Sequence, residues 1–150
     1  MEPTLVKVTF DLDPNEWHGS ATESLWAEPL GNCFYRIRNV PFFVRGVSHE
    51  DVVVGRSEGL TIKSQHVEAR GGHSTYRVRL LQGGTHCEQF ARYWSPIKAQ
   101  GCTYEEGRVV AVDVPPAADI YAVYSSLEAG AKAGVWDFEE GHCGHALNEK

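Results

Sequence analysis

The spacing of apolar residues changes near the middle of this 150-residue chain, and this change most limits the folds open to it. In the first part apolar and polar residues alternate, as in Val6-Lys-Val-Thr-Phe10, which is typical of half-buried strands. After Gly71-Gly72, apolar residues also recur at helical spacing. The sequence therefore predicts an α+β protein of one compact domain, 1–150, with a β-rich half over about 1–70 and a mixed half over about 73–145.

Short strands with polar turns between them predict a small, curved β-barrel in the N-terminal half. Gly31-Asn32 supplies the residues of a tight hairpin turn, and Phe42 with Phe43 is expected to close one end of the barrel. The run Val52-Val-Val54 is short and apolar, as in a strand buried on both faces. The strands are predicted over about 6–11, 23–28, 33–38, 52–54 and 60–67.

The second half is predicted to be a β-α-β-α unit with both helices packed on one sheet face. Thr85 and Glu88 match a capping box at the start of the first helix, and Pro96 predicts a kink or a restart within it. The apolar face of the last helix runs from Ile120 to Ala131. The strands of this half are predicted over about 76–80, 102–105 and 108–114.

The balance of charges disfavours nucleic acid as a partner. Fourteen basic residues against twenty acidic ones give a net charge of −6, whereas phosphate binding relies on lysine and arginine. No apolar run reaches the roughly 20 residues of a membrane helix, and no secretory signal is visible at the N-terminus. We therefore expect a cytoplasmic protein that does not act at a membrane, with Cys33, Cys87, Cys102 and Cys143 as free thiols.

Ligand-type side chains are concentrated near the C-terminus, where two histidines and a cysteine lie within four positions. Imidazole and thiolate bind zinc, and a tetrahedral site needs a further ligand from elsewhere in the chain. The alternative is a packed tail without any cofactor, since Trp136 and Phe138 lie beside these groups. The predicted ligands of a zinc site are His73, His142, Cys143 and His145, with His86, Cys87, Glu139 and Glu140 as further options.

No complete catalytic set is evident in the sequence. Cys87 falls at the first turn of a helix and could be a reactive thiol, but it also fits the apolar face of that helix. His73 beside Ser74 resembles part of a hydrolase triad but lacks the strand–turn–helix elbow around the serine. No catalytic residue is therefore predicted, which favours a protein that is not an enzyme.

Four arginines lie on two predicted strands. They would form a site for an anion or a carboxylate if the two strands came close together. The alternative is that they pair with nearby carboxylates on a solvated sheet face, as exposed arginines commonly do. The residues concerned are Arg36, Arg38, Arg77 and Arg79.

Several short motifs occur together between about Val6 and His145. They are Glu23-Ser-Leu-Trp-Ala-Glu-Pro-Leu30, Asn39-Val-Pro-Phe-Phe43, Gly46-Val-Ser, Gly72-His-Ser-Thr-Tyr-Arg77, Ala111-Val-Asp-Val-Pro-Pro116, Gly134-Val-Trp and Glu140-Gly-His-Cys-Gly-His145. In this combination the chain resembles the bacterial family known as domain of unknown function 4265. The resemblance implies a soluble single-domain protein in which His73 and the C-terminal His-Cys-Gly-His segment are regular parts of the domain. It carries over no catalytic residue.

The function expected from these features is that of a non-catalytic protein-binding module. A specific version is an immunity or antitoxin-type protein that neutralises a basic bacterial toxin, because complementary charge speeds and orients such binding. The competing hypothesis is a small enzyme, or a sensor of a metal or small molecule, with its site at the C-terminal His-Cys-Gly-His segment. A third is an adaptor that docks another domain. The acidic contact residues predicted for a basic partner are Asp11, Asp13, Glu50, Asp51, Glu105 and Glu106.

Overall fold

The computed structural model describes residues 4–147 and shows a mixed α+β architecture, with nine strands in two sheets and two helices within that range. The first five strands form a closed ring in which each strand is antiparallel to the next, and β1 completes the ring by pairing with β5 in parallel. These strands are β1 (Val6–Asp11), β2 (Thr22–Gly31), β3 (Phe34–Ile37), β4 (Val52–Glu58) and β5 (Thr61–Ala69).

The core of the ring follows from the alternation of apolar residues along its strands. Val8, Leu25 and Ile37 are buried almost completely inside it, whereas their neighbours in sequence face outward. The valine run of β4 obeys the same alternation, because Val53 is buried and the valines on either side of it are only half-buried. The expectation that this strand is buried on both faces was therefore wrong.

The predicted hairpin between β2 and β3 is present, with its turn one residue later than the sequence indicated. Asn32 and Cys33 both adopt positive φ, at 54° and 67°. The tightest hairpin turns require two consecutive residues with positive φ, because such a turn matches the twist of the flanking strands. Cys33 is accordingly an exposed turn residue and not the first residue of a strand.

The second half is a β-α-β-β-α-β unit and not the predicted β-α-β-α unit. Its elements are β6 (Ser74–Leu80), α1 (Glu88–Lys98), β7 (Thr103–Glu106), β8 (Val110–Val114), α2 (Ile120–Lys132) and β9 (Trp136–His142). The strands lie in the order β7-β8-β6-β9, and each pair is antiparallel. The sequence did not reveal β9, because most of its residues are polar and its pairing with β6 shifts register between Thr75 and Tyr76. The strand therefore lacks a regular alternation of apolar and polar residues.

Both helices pack against one sheet face, as predicted, and form one core with it. The start of α1 differs from the prediction: Cys87 is the N-cap without a side-chain hydrogen bond, and Thr85 instead donates its hydroxyl proton to the carboxylate of Glu106. Pro96 lies inside α1 and the helix does not restart there. Because Pro96 falls in the last turn, little helix remains beyond it to be disturbed.

Trp136 at the start of β9 is the largest side chain buried in this core. Its exposure is 0%, and its indole N–H donates to the carbonyl of Leu127 in α2 at 2.8 Å. Gly130 in the next turn of α2 allows this contact, since a Cβ built there would lie 2.3 Å from the indole ring. The helix and the strand can therefore approach each other only where α2 carries a glycine.

We expect Gly130→Ala to destabilise the protein by about 1–3 kcal/mol, although alanine is the better helix former, because the methyl group overpacks the indole of Trp136. Urea denaturation followed by tryptophan fluorescence measures this. Ser125→Ala, on an exposed position of the same helix, is the matched control and should be neutral or slightly stabilising. Equal stability of the two variants would contradict the proposed packing.

The ring and the sheet are joined through the segment 42–44. The carboxylate of Glu23 in β2 accepts hydrogen bonds from the backbone N–H groups of Phe42, Phe43 and Val44, at 2.7–3.0 Å. Arg77 in β6 donates to the carbonyls of Phe42 and Val44. This segment therefore lies between the two halves of the chain.

Phe42 and Phe43 lie outside the core cluster of the ring, and the expectation that they close one end of it stays a prediction. A Cβ on Gly107, in the β7–β8 turn, would lie 2.8 Å from the ring of Phe42, and Phe43 packs against Trp17 and His18.

Within residues 4–147, no helix has the length and apolar character needed to cross a membrane.

Candidate functional site

Three side chains with metal-binding and proton-transfer chemistry meet at the junction of the ring and the sheet. His49 lies in the β3–β4 loop, His73 immediately precedes β6, and Asp113 lies on β8. One possible metal-ligand atom of each residue, an imidazole nitrogen or a carboxylate oxygen, lies within 4.8 Å of those of the other two. In the part of the chain that the structure describes, this is the only such group of three. We call these three residues the His–His–Asp cluster.

The hydrogen bonding of the cluster is incomplete. His73 Nδ1 lies 2.9 Å and 3.1 Å from the two carboxylate oxygens of Asp113. His49 Nδ1 lies 3.6 Å from Asp113 Oδ2, which is too long for a hydrogen bond. This nitrogen is buried and has no hydrogen-bond partner within residues 4–147. Asp113 nevertheless raises the pKa of His49, with Glu50 adding to the effect and burial opposing it.

The loop that carries His49 is held rigidly on both sides of the histidine. Asp51 is fully buried and accepts hydrogen bonds from the backbone N–H groups of Ser48 and Gly71 and from Arg70, each at 2.9 Å. The hydroxyl of Ser48 is 2.6 Å from that of Thr75 on β6. His49 is thus fixed relative to the sheet that carries Asp113.

The backbone beside His49 is strained. Glu50 has a φ of 73°, which a residue with a side chain seldom adopts, and its N–H donates to the carbonyl of Ile37. A Cβ at Gly71 would lie 2.7 Å from the carbonyl oxygen of Glu50. Glycine at position 71 therefore lets the β5–β6 connection pass close to the loop, which brings His73 toward His49.

The cluster opens into a cleft with a cavity volume of about 530 Å³. His49 and His73 line it together with Arg36, Glu50 and Arg70. The Glu50 carboxylate lies 2.6 Å from Arg38 and 3.8 Å from Arg36, and Arg36 also lies 3.5 Å from Glu28. The cleft therefore combines two imidazoles with several charged side chains that neutralise one another.

The predicted C-terminal ligands do not join this cluster. Ser74 Oγ accepts a hydrogen bond from the N–H of Gly144, so its single proton can be donated to His145 Nδ1 at 2.6 Å. His145 Nε2 then donates to the carbonyl of Pro115 at 2.9 Å. Both ring nitrogens of His145 are used, and they hold the C-terminal segment against the sheet.

The other two predicted ligands near the C-terminus are also separate from the cluster. The Cys143 thiol contacts the carbonyl of His145 at 3.6 Å. His142 Nε2 is buried without a hydrogen-bond partner in the described chain, and burial is the main reason that its pKa is lowered, with Arg70 adding to the effect. Of the four predicted metal ligands, the structure thus places only His73 in the His–His–Asp cluster.

The four predicted arginines do not converge on one site. Arg36 lines the cleft, and Arg38 shares Glu50 with it. Arg77 is 2% exposed and donates to backbone carbonyls, while Arg79 pairs with Asp137 at an exposed position. Two arginines are therefore near the candidate site, and the other two serve the sheet.

Most of the predicted acidic contact residues already have partners within the chain. Asp11 pairs with Lys63 at 2.5 Å, and Asp13 accepts a hydrogen bond from the N–H of Asn15. Glu50 and Asp51 belong to the cleft and its supporting loop. Glu105 lies 3.4 Å from the N–H of Val40, and Glu106 accepts from Thr85.

Sequence reasoning missed two members of the cluster. Asp113 had a detectable signal, because it is the one ionisable residue in the apolar run from Val109 to Val114 and therefore a carboxylate on a buried strand. His49 had none, since nothing in its neighbourhood in the sequence marks it. Its contact with His73 depends on how the β3–β4 loop folds back onto the sheet.

The ring, the β-α-β-β-α-β sheet and the cluster at their junction define a mixed α+β protein with a polar cleft between its two halves. The family described as "Domain of unknown function (DUF4265)" matches residues 23–138, and the chain belongs to this family. The matched range contains all three residues of the His–His–Asp cluster and ends before His142.

Among solved structures, the chain is similar to "Novel crystal structure of a hypothetical protein from Neisseria gonorrhoeae". The TM-score is 0.80 at 15% sequence identity, and the match covers 97% of this chain and 100% of that one. At this identity the likeness shows that the fold is shared and nothing about function. The comparison with curated proteins gave no match.

The lowered pKa of His142 predicts a pH dependence of stability. The unfolded chain takes up a proton at this residue near pH 6.5, whereas the folded chain resists it, so stability is lost as the pH falls below about 6.5. We expect the free energy of unfolding to decline less steeply below pH 6.5 in His142→Asn than in the natural chain. Urea denaturation at several pH values tests this.

The control for this experiment is His66→Asn, since His66 is exposed on β5. This variant should keep the pH dependence of the natural chain. The interpretation of His142 would be wrong if its replacement left the slope unchanged.

Proposed function

We propose that this protein binds a divalent transition-metal ion, with Zn²⁺ best suited, through His49, His73 and Asp113. The observation that carries the proposal is the buried Nδ1 of His49, which has no hydrogen-bond partner within residues 4–147 and faces Asp113 Oδ2 at 3.6 Å beside His73. Two ligands at about 2.0–2.1 Å from a tetrahedral zinc ion lie about 3.4 Å apart. The spacing is therefore too long for hydrogen bonding but suited to two ligands of one ion.

The chemistry of the donor set agrees with this proposal. Imidazole nitrogen and carboxylate oxygen are ordinary zinc ligands, and three protein ligands leave the fourth position open, as in sites where zinc reacts or exchanges ligands. The ion would replace the proton now shared by His73 and Asp113. The proposed role is thus that of a metal-dependent enzyme or metal sensor, with the site in the cleft and not in the C-terminal segment.

Metal binding at this position would also join parts of the chain that are distant in sequence. His49 belongs to the loop after β3, and Asp113 belongs to β8 of the sheet. An ion held by both would stabilise the folded state relative to the unfolded chain, in which no such site exists.

We expect the metal-free full chain to bind one equivalent of Zn²⁺ and to melt at a higher temperature when the ion is present. His49→Ala, His73→Ala and Asp113→Asn should each weaken binding at least about 100-fold, because each removes a direct ligand. Calorimetric titration measures affinity and stoichiometry, and circular dichroism confirms that each variant is folded.

Two controls separate this site from other histidines. His66→Ala changes an exposed histidine on β5 and should leave binding unchanged. The double variant His142→Ala/His145→Ala should keep the metal if it remains folded. Stoichiometric zinc that is lost only in the double variant would contradict the proposal and support a site in the C-terminal segment.

A second candidate function is a protein-binding module for a basic partner, such as an immunity protein that neutralises a toxin. It is supported by the net charge of −6 and by exposed residues of the first half of the chain, namely Trp26 on β2, Leu60 in the β4–β5 turn and Asp11, whose side chain is 74% exposed. This combination of exposed apolar and acidic groups suits a partner with a positively charged surface.

If this second function holds, Asp11→Lys/Asp13→Lys should slow association with the basic partner protein at low salt. The reason is that electrostatic steering depends on charge near the contact surface. Stopped-flow fluorescence at two salt concentrations measures the rate. Glu128→Lys/Glu88→Lys, on the helices, is the charge-matched control, and an equal effect of both double variants would count against a contact at the ring.

A further inference from the structure

We infer that the cleft takes a small oxyanion, a phosphate or carboxylate group, as a further ligand of the bound metal, with Arg36 and Arg70 contacting its oxygens. This inference rests on the proposed metal site. It names the class of ligand that the open metal position would take.

The charges around the cleft are the first argument. Arg36, Arg38 and Arg70 are offset by the carboxylates of Glu28, Glu50, Asp51 and Asp113, which lie against the arginines or in the cluster. The four carboxylates exceed the three arginines by one negative charge. If the histidines bind as neutral ligands, a divalent ion would make the net charge of the site positive. A positive site with an open position on the metal attracts an anion.

The arrangement of the two arginines is the second argument. Arg70 is held by Nη1, which donates to the carbonyl of Gly46 at 2.7 Å and to Asp51 at 2.9 Å. Nε and Nη2 of Arg70 are therefore available to donate hydrogen bonds to a ligand. Arg36 faces Glu28 and Glu50 at the longer distances of 3.5 and 3.8 Å, so that a better acceptor can compete for it. Guanidinium groups bind carboxylate and phosphate through paired hydrogen bonds.

The position of the metal ligands is the third argument. Both histidines of the cluster line the same cleft as Arg36 and Arg70. The open coordination position of an ion held by His49, His73 and Asp113 is therefore reached from the cleft that the two arginines line. Zinc accepts oxygen ligands readily, so one oxyanion can bind the metal through one oxygen and an arginine through another.

The test uses the full chain loaded with one equivalent of Co²⁺, whose visible absorption reports the ligands of the metal. Inorganic phosphate and acetate are titrated separately. We expect a saturable spectral change with at least one of them, and about tenfold weaker binding in Arg36→Gln and in Arg70→Lys, since each loses charge-assisted hydrogen bonds to the anion. Arg56→Gln, an exposed arginine of β4 that does not line the cleft, should bind as the natural chain does.

The outcomes distinguish this inference from the proposed function. Failure of the chain to bind Co²⁺ or Zn²⁺ would overturn the metal site itself. Metal binding without a response to phosphate or acetate would overturn only the oxyanion ligand. A response that is equally strong in Arg36→Gln and Arg56→Gln, or anion binding of equal strength to the metal-free chain, would also overturn it. Arg36→Gln keeps the test valid if Arg70→Lys fails to fold, because the Arg36 side chain is 38% exposed.

Discussion

The structure depends on a buried polar connection between the ring and the sheet. Arg77 is 2% exposed, and burial lowers its pKa from the ordinary arginine value, yet it bonds to the backbone carbonyls of Phe42 and Val44. Glu23 satisfies the N–H groups of the same segment from the other side. Because buried charges are costly unless they are hydrogen-bonded, this arrangement allows little displacement of the two halves. Gly141 makes room for it, since a Cβ there would lie 1.7 Å from the guanidinium.

The candidate site follows from this connection. The segment bound by Glu23 and Arg77 leads directly into the loop of His49, which Asp51 and Ser48 then fix against the sheet. The cluster is thus assembled from pieces whose positions are set by buried hydrogen bonds. Such support is what a metal site requires, because its ligands must be held near their final geometry before the ion arrives.

The C-terminal segment contributes directly to the fold. Trp136 fills the helical core, β9 completes the sheet, and His145 links Ser74 to Pro115 through both of its ring nitrogens. His145 therefore serves as a hydrogen-bonding group of the fold. The expectation that the segment is packed onto the domain is confirmed by the burial of Trp136, since a frayed tail would leave this indole in water.

The sequence by itself determined the elements whose patterns are local. The alternation around Val8 and the helical spacing from Ile120 specified a strand and a helix, because a side chain's burial there depends on its near neighbours in the chain. Only the tertiary structure decided that β9 exists, that the arginines separate, and that His49 meets His73 and Asp113. These three residues come from separate elements. Their meeting depends on loop geometry, strand order and the close approach at Gly71, none of which leaves a periodic trace in the sequence.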